Sequence, residues 1–425
     1  MENSLDWWYL NGNDLQRRSS RLDQTISSID ETMRINHYRY CNNFLWPVLH
    51  DLHLLANYSD SERECYNRFN ATVAAWLREY PGASQGCFVN DYQFALVPNL
   101  LLGRERSNVF WHIPWPKHVR EEHIDALTEI AVGLLGGSVI GFHTREYLDN
   151  FIQFVGINLK QFEIDLGSDS IALRSGKLSL IRTTQLVVAP LGLDDRCWRE
   201  LARRKVCDPG VGQPIPYVLS VDRCDYTKGV VERLDAIDWF FEHHPQWQKK
   251  VYFLQIGSRS REGLPEFDRY WQLCHERADA IKLRWATDDW QPLVWIETPK
   301  YAEELASLYA GAEVMLVNPL RDGLNLTAKE FVACQSSRPG ILALSSDAGV
   351  WQEFKDGCVT VEPRDSSLFA STIAQCLEMS ETEKYRRSYV LRQRLESNTI
   401  WDWWRNFTEH WSACEGSEVA EKVCS

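Results

Sequence analysis

Short apolar runs recur along the chain, each followed by a polar turn and then a longer stretch with apolar positions at helical spacing. In the first half, helical spacing covers about 31–57 and 62–79, and the apolar runs at 86–89, 109–111 and 139–142 read as strands. The runs 178–181 and 185–188 read as a late hairpin or two short strands, and Pro190-Leu191-Gly192 closes the half. A Pro/Gly-rich stretch at 206–214 reads as a linker. After it the alternation restarts, with strands expected at 217–221, 251–256, 293–296, 314–317, 341–344 and 359–361 and helices between them. From about 383 the chain is helical and rich in tryptophan. Alternation of this kind builds mainly parallel sheets with helices on both faces. The expected fold class is therefore α/β, with two Rossmann-like doubly wound domains and a ligand cleft between them. Their expected bounds are 1–205 and 206–395, with a helical tail at 396–425 that crosses back to the first domain. In such sheets ligands sit beyond the carboxyl ends of the strands.

Composition narrows the chemistry. A formal net charge of -13 over 425 residues excludes general nucleic-acid binding and attraction to an anionic membrane surface. Cations that bind a phosphate must then be few and placed. The 12 cysteines form no Cys-x-x-Cys pair and no Cys/His group at zinc spacing, so they read as reduced thiols, and no metal site is expected. The acidic N-terminus lacks a signal-peptide pattern, and no apolar run is long enough to span a bilayer. Together these point to a cytoplasmic protein without membrane partners; self-association is left open. The 18 tryptophans suit either core filling or the faces of sugar rings.

Five strand exits carry the chemistry. Pro319-Leu320-Arg321-Asp322-Gly323-Leu324-Asn325-Leu326-Thr327 joins the apolar run 314–317 to a helix that contains Glu330. A helix start offers unpaired backbone N–H groups to an anion, Gly323 lets backbone come close, and Asp322 and Glu330 can accept hydrogen bonds from hydroxyls. Phosphate flanked by hydroxyls describes a nucleotide sugar. Arg223 and Lys228, in Asp222-Arg223-Cys224-Asp225-Tyr226-Thr227-Lys228-Gly229, suit a diphosphate or, equally, ion pairs with Asp222 or Asp225. Ser260-Arg261 suits a phosphate or a solvated basic loop. In the first half, Asp91 and His112 end two strands, where each is either a sugar contact or a cap.

Taken together, these segments resemble the trehalose-6-phosphate synthase family, glycosyltransferase family 20, from about residue 36 to about 400. The matching motifs include Leu45-Trp46-Pro47, Asp91-Tyr92, His112-Ile113-Pro114-Trp115-Pro116, Gly141-Phe142-His143-Thr144, the 221–229 segment, Ser260-Arg261 and Arg321-Asp322-Gly323-Leu324-Asn325-Leu326. The resemblance implies a GT-B arrangement and a retaining glycosyltransferase that moves glucose from a nucleotide-glucose, UDP-glucose first among the candidates, to glucose 6-phosphate. It implies no cofactor. Position by position, Arg223, Lys228, Asp322 and His112 become catalytic. Gly323, Leu324, Asn325, Leu326, Thr327 and Glu330 become donor-binding, with Glu330 on the ribose. Trp46, Asp91, Arg261 and His37 become acceptor-binding, His37 standing where the family has a tyrosine.

The departures lie at the acceptor end. The family's opening strand with its Ser-Asn-Arg turn and Gly-Gly-Leu loop has no counterpart here, so the first domain is expected to be shortened. The family's His-Asp-Tyr-His is Asn90-Asp91-Tyr92-Gln93. Three other readings stay open: a glucosylglycerol-phosphate synthase with a phosphorylated polyol acceptor, a pseudo-glycosyltransferase, and a non-catalytic subunit that binds sugar phosphate.

Overall fold

A computed structural model describes residues 7–11, 14–18, 24–26, 29–79, 86–102, 107–160, 162–167, 169–175, 178–204, 215–336 and 338–410. The chain falls into two compact units, Met1–Val187 with His410–Ser425, and Val188–Glu409.

In the second unit six strands form one parallel sheet: β10 (Tyr217–Val221), β11 (Tyr252–Ile256), β12 (Leu293–Ile296), β13 (Val314–Val317), β14 (Ile341–Ser345) and β15 (Val359–Val361). Their spatial order is β12-β11-β10-β13-β14-β15. The chain thus builds outward from β10 on one side, then returns to build outward from β13 on the other. The order reverses between β10 and β13, where an open parallel sheet leaves a crevice at its carboxyl edge. Alternate residues of each strand feed two cores. Val218, Val314 and Leu316 pack on one face with Phe240, Phe241 and Phe253. Leu219, Met315 and Val317 pack on the other with Tyr309, Phe331 and Leu344. Burial on both faces is why β13 is wholly apolar and β10, β11 and β14 are nearly so, their polar residues Ser220, Gln255 and Ser345 being buried too.

The first unit holds β4 (Cys87–Asn90), β5 (Ser107–Trp111), β6 (Val139–Phe142), β7 (Glu163–Leu166), β8 (Ser170–Ser175) and β9 (Leu178–Val188) in the order β4-β5-β6-β9-β8-β7. β4, β5 and β6 are parallel, whereas β7, β8 and β9 form an antiparallel meander. The expected break at 182–184 is absent. Two β-branched threonines with no Gly, Pro or Asn beside them continue the strand, Thr184 facing inward and Thr183 outward. Residues near the N-terminus form a separate antiparallel sheet of β1 (Trp7–Asn11), β2 (Asp14–Arg18) and β3 (Gln24–Ile26). The long helix expected over 31–57 is interrupted. Helix Glu31–Arg39 passes into a π-helical stretch, Tyr40–Leu45, before Trp46–Leu49. Pro47 has no N–H to give and its ring crowds the preceding turn, which accounts for the wider winding just ahead of it.

The units part between Val187 and Val188, ahead of the expected linker, and 205–214 lie outside the described residues. Helix Asp195–Arg204 goes with the second unit because it packs on helices Ala302–Gly311 and Leu326–Cys334. Of the expected tail, helical structure is described for Glu381–Glu396 and for 400–410.

Candidate functional site

At the switch between β10 and β13, two strand-exit loops are laced together. The first runs from Asp222 to Gly229. Asp225 caps its 3-10 turn Tyr226–Lys228, accepting from the Thr227 amide at 3.0 Å and the Thr227 hydroxyl at 3.0 Å. Gly229 then takes a left-handed conformation (φ 66°) and starts helix Val230–His243. The second loop runs from Asn318 to Asn325, whose side chain caps helix Leu326–Cys334 by accepting from the Ala328 amide at 3.2 Å. Between the loops, the Leu320 amide donates to the Thr227 carbonyl at 2.8 Å and Asn318 Nδ2 donates to the Gly229 carbonyl at 2.7 Å. Arg233, 1% exposed, donates to both Asp222 (2.9 Å) and Asn318 (2.9 Å). A third loop, after β14, pins the second from behind: the Asp322 amide donates to the Asp347 carbonyl and the Gly349 amide to the Asp322 carbonyl.

Lys228 and Asp322 meet on this frame at 2.6 Å, each side chain about one-seventh exposed, and Asn325 Nδ2 also donates to Asp322 at 3.0 Å. Neither of the carboxylates expected to pair with Lys228 does so. Asp222 goes to Arg233, and Asp225 goes to Arg261 at 2.5 Å. Burial pushes the Asp225 carboxyl up, but Arg261, the Thr227 amide, Lys228 and Arg223 outweigh it and hold it below its ordinary value. Arg261 therefore has a structural anion already, and its guanidinium lies over the Phe267 ring. Arg223 is exposed and forms no ion pair with the described residues. Glu330, one turn into helix Leu326–Cys334, accepts from the Tyr309 hydroxyl at 2.9 Å, and burial raises its carboxyl above the usual range. Its neighbour Lys329 is fully buried, donating to the Leu191 carbonyl (2.8 Å) and pairing with Glu353 (2.8 Å), which also accepts from Asn398 (2.9 Å).

In the first unit, the exits of β4 and β5 bring Asn90, Asp91 and His112 together with His143. Asp91 has φ 62°, and its carboxylate accepts from the His112 amide at 3.3 Å. Packing around the carboxyl raises it to about 7 against the pull of the His112 and Tyr92 amides. Burial lowers His112 to about 4, so its ring is neutral near pH 7. Asn90 Oδ1 faces His112 Nε2 at 2.9 Å, and a carbonyl oxygen only accepts, so that nitrogen carries the proton. His112 Nδ1 is then an acceptor for His143 Nε2 at 3.3 Å.

Two acceptor-side candidates are buried. His37 is 4% exposed, stacked on Phe69 at 3.9 Å and on Tyr66, with Nε2 bonded to the Gln93 carbonyl at 3.0 Å. Burial lowers it to about 4. It is a core residue, because helix Glu31–Arg39 turns that face inward. Trp46 is likewise buried, at 6%, against His50. Among the described residues no group of three His, Cys, Asp or Glu side chains is placed to hold a metal, and no helix is long and apolar enough to cross a membrane.

The profile described as glycosyltransferase family 20 matches residues 12–413. The chain belongs to glycosyltransferase family 20. A "Bifunctional trehalose-6-phosphate synthase/phosphatase" of Thermoproteus tenax is 30% identical over 385 residues, covering 87% of this chain; the chain spans only 50% of that protein's length. Among solved structures, an alpha,alpha-trehalose-phosphate synthase (UDP-forming) from Burkholderia xenovorans in complex with glucose-6-phosphate superposes with a TM-score of 0.83 at 28% identity, covering 93% of this chain and 88% of that one. Another, described as "Trehalose-6-phosphate from E. coli bound with UDP-2-fluoro glucose", gives 0.84 at 25%, covering 94% and 89%. The two-domain α/β architecture of this family 20 chain is the one those glycosyltransferases share. Motif reading of a family 20 sequence finds the loop residues. It misses their braces, Arg233, Asn318 and Tyr309, whose partners lie as far as 89 residues away or on another element and leave no local signature.

Proposed function

We propose that this family 20 protein is a retaining glycosyltransferase that moves glucose from UDP-glucose to glucose 6-phosphate, releasing UDP and trehalose 6-phosphate. The observation that carries the reading is the Lys228–Asp322 pair at the laced switch-point loops. It puts a cation for phosphate and a hydroxyl acceptor for sugar side by side, next to the start of helix Leu326–Cys334. The similar structures with bound glucose-6-phosphate and UDP-2-fluoro glucose supply the substrate class.

As the bond between the glucose anomeric carbon and the β-phosphate oxygen lengthens, negative charge grows on the diphosphate and positive charge on the sugar ring. Lys228 and Arg223 are assigned to the diphosphate, aided by the backbone amides at the start of helix Leu326–Cys334 and the positive end of that helix. The lacing by Asn318, Arg233 and Leu320 keeps these groups in place, so little rearrangement accompanies the charge transfer. Asp322, Gly323 and Leu324 are assigned to the glucose and Glu330 to the ribose. His112, neutral and with a fixed ring, is assigned to a sugar hydroxyl, and Asp91 and Arg261 are assigned to the acceptor. The acceptor hydroxyl oxygen bonds to the anomeric carbon on the face the diphosphate leaves, and its proton passes to a phosphate oxygen. This route needs neither a protein nucleophile nor a pair of carboxylates set for double displacement. The nine described cysteines are all free thiols, seven of them buried, which suits the reducing cytoplasm.

The purified protein is to be incubated with UDP-, GDP- and ADP-glucose, each with glucose 6-phosphate or glycerol 3-phosphate, following nucleotide release and product mass. UDP release with glucose 6-phosphate, and a fall of about 100-fold in Lys228→Ala with the circular dichroism unchanged, is the expected result. With His37 buried, glycerol 3-phosphate is included as a second acceptor. Nucleotide release with no combination overturns the reading.

A further inference from the structure

Glu330 is the only carboxylate in helix Leu326–Cys334, and it is aimed by a side chain from a different helix. Tyr309, in helix Ala302–Gly311, donates its hydroxyl to Glu330 Oε2 at 2.9 Å. The other oxygen, Oε1, is engaged by none of the described residues. A glutamate has three side-chain torsions, and one hydrogen bond to a rigid partner removes most of its freedom. Tyr309 is such a partner. It is 0% exposed, with the Trp198 ring 5.9 Å away. Its carbonyl accepts from Gln335 Nε2 at 2.9 Å, the same nitrogen donates to the Phe331 carbonyl at 3.1 Å, and Gln335 Oε1 accepts from the Gly340 amide at 2.8 Å. Tyr309 is thus fastened to helix Leu326–Cys334 at both ends, by its hydroxyl near the start and its carbonyl at the finish.

We infer that Tyr309 is a positioning residue for nucleotide recognition: it ties up one oxygen of Glu330 and turns the other toward the ribose hydroxyls of the nucleoside diphosphate. The inference rests on the donor assignment made above and deepens it. The competing account is that Glu330 merely satisfies a buried phenol, which would otherwise be costly to leave unpaired. The two accounts differ in what they predict for sugar-hydroxyl discrimination. Burial raises the Glu330 carboxyl above its ordinary value, and the Tyr309 hydroxyl, bonded to the charged form, works against that rise.

The test is calorimetric binding of UDP, 2′-deoxy-UDP and 3′-deoxy-UDP to the wild-type chain and to Tyr309→Phe, with KM and kcat for UDP-glucose alongside. The wild type should prefer UDP over at least one deoxy analogue by about 10-fold or more, as a site built to bond a hydroxyl does. In Tyr309→Phe that preference should shrink to about 3-fold or less, and KM should rise more than kcat falls. A Tyr309→Phe protein that is less stable but keeps the wild-type preference overturns the inference and leaves the donor assignment standing. A wild type that does not bind UDP at all overturns both. Glu330→Gln separates aim from charge: it should lose discrimination whether or not Tyr309 is present.

Discussion

Gly229→Ala tests the lacing of the two donor loops most directly. Gly229 has φ 66°, so any side chain there carries a left-handed penalty of about 1–2 kcal/mol. A Cβ would also lie 2.4 Å from the Asn318 carbonyl oxygen and 2.9 Å from Asn318 Nδ2. Asn318 cannot step aside without loss. It is 0% exposed, it donates to the Gly229 carbonyl, and it accepts from Arg233. Overpacking against backbone costs about 1–3 kcal/mol. The combined destabilisation should be about 2–5 kcal/mol, much of it felt as a loop that opens and carries Lys228 with it. Gly263→Ala is the control. Gly263 has φ 85° but nothing within 4 Å of a built Cβ, so it carries the backbone penalty alone. Thermal unfolding should place Gly229→Ala clearly below Gly263→Ala. UDP affinity by calorimetry should fall about 10-fold or more in the first and little in the second, because small misplacements of phosphate-binding groups are costly. Equal melting temperatures and equal UDP affinities in the two variants would refute the idea that close approach at Gly229 positions Lys228.

Two more perturbations probe the first unit. The Asp91 carboxyl sits near 7 in the folded chain against an ordinary 3.8, so the folded state holds this proton more tightly than the unfolded state. That contribution to stability is fully present below about pH 4 and is lost as pH rises through 7. Wild type should therefore lose melting temperature between pH 4 and 7 relative to Asp91→Asn, and parallel curves would count against the assignment. His37→Phe should lower stability by about 1–2 kcal/mol through the lost bond to Gln93 and altered stacking, leaving the KM for glucose 6-phosphate unchanged. A raised KM with the fold intact would return His37 to the acceptor site.

How far the chain could be read varies with the physics of each part. Strands β10, β11, β13 and β14 are legible because burial on both faces leaves them almost wholly apolar, whereas β15 shows as a short alternation with Thr360 exposed. β9 reads as two runs in the sequence because its Arg182-Thr183-Thr184 centre is polar, although threonine favours a strand and nothing there can turn the chain. Donor-loop residues are legible because strand exit, glycine and helix start are contiguous. Their braces pair across the sheet, and such pairings show no periodicity along the chain. His37 invites a site role by its chemistry, while its spacing marks a core face. Met33, His37, Tyr40 and Phe44 recur at three- and four-residue intervals and are all buried.

Lys329 carries a consequence for how this chain can vary. Its ammonium joins Leu191 and Glu353, and Glu353 in turn takes Asn398, so three remote stretches converge on one enclosed charge. Removing either member of such a pair strands the other, at about 3–5 kcal/mol, whereas exchanging both for apolar groups can be neutral. Drift at positions 329 and 353 should then proceed in concert, and a descendant that had lost the lysine but kept the glutamate would need a fresh cation close by.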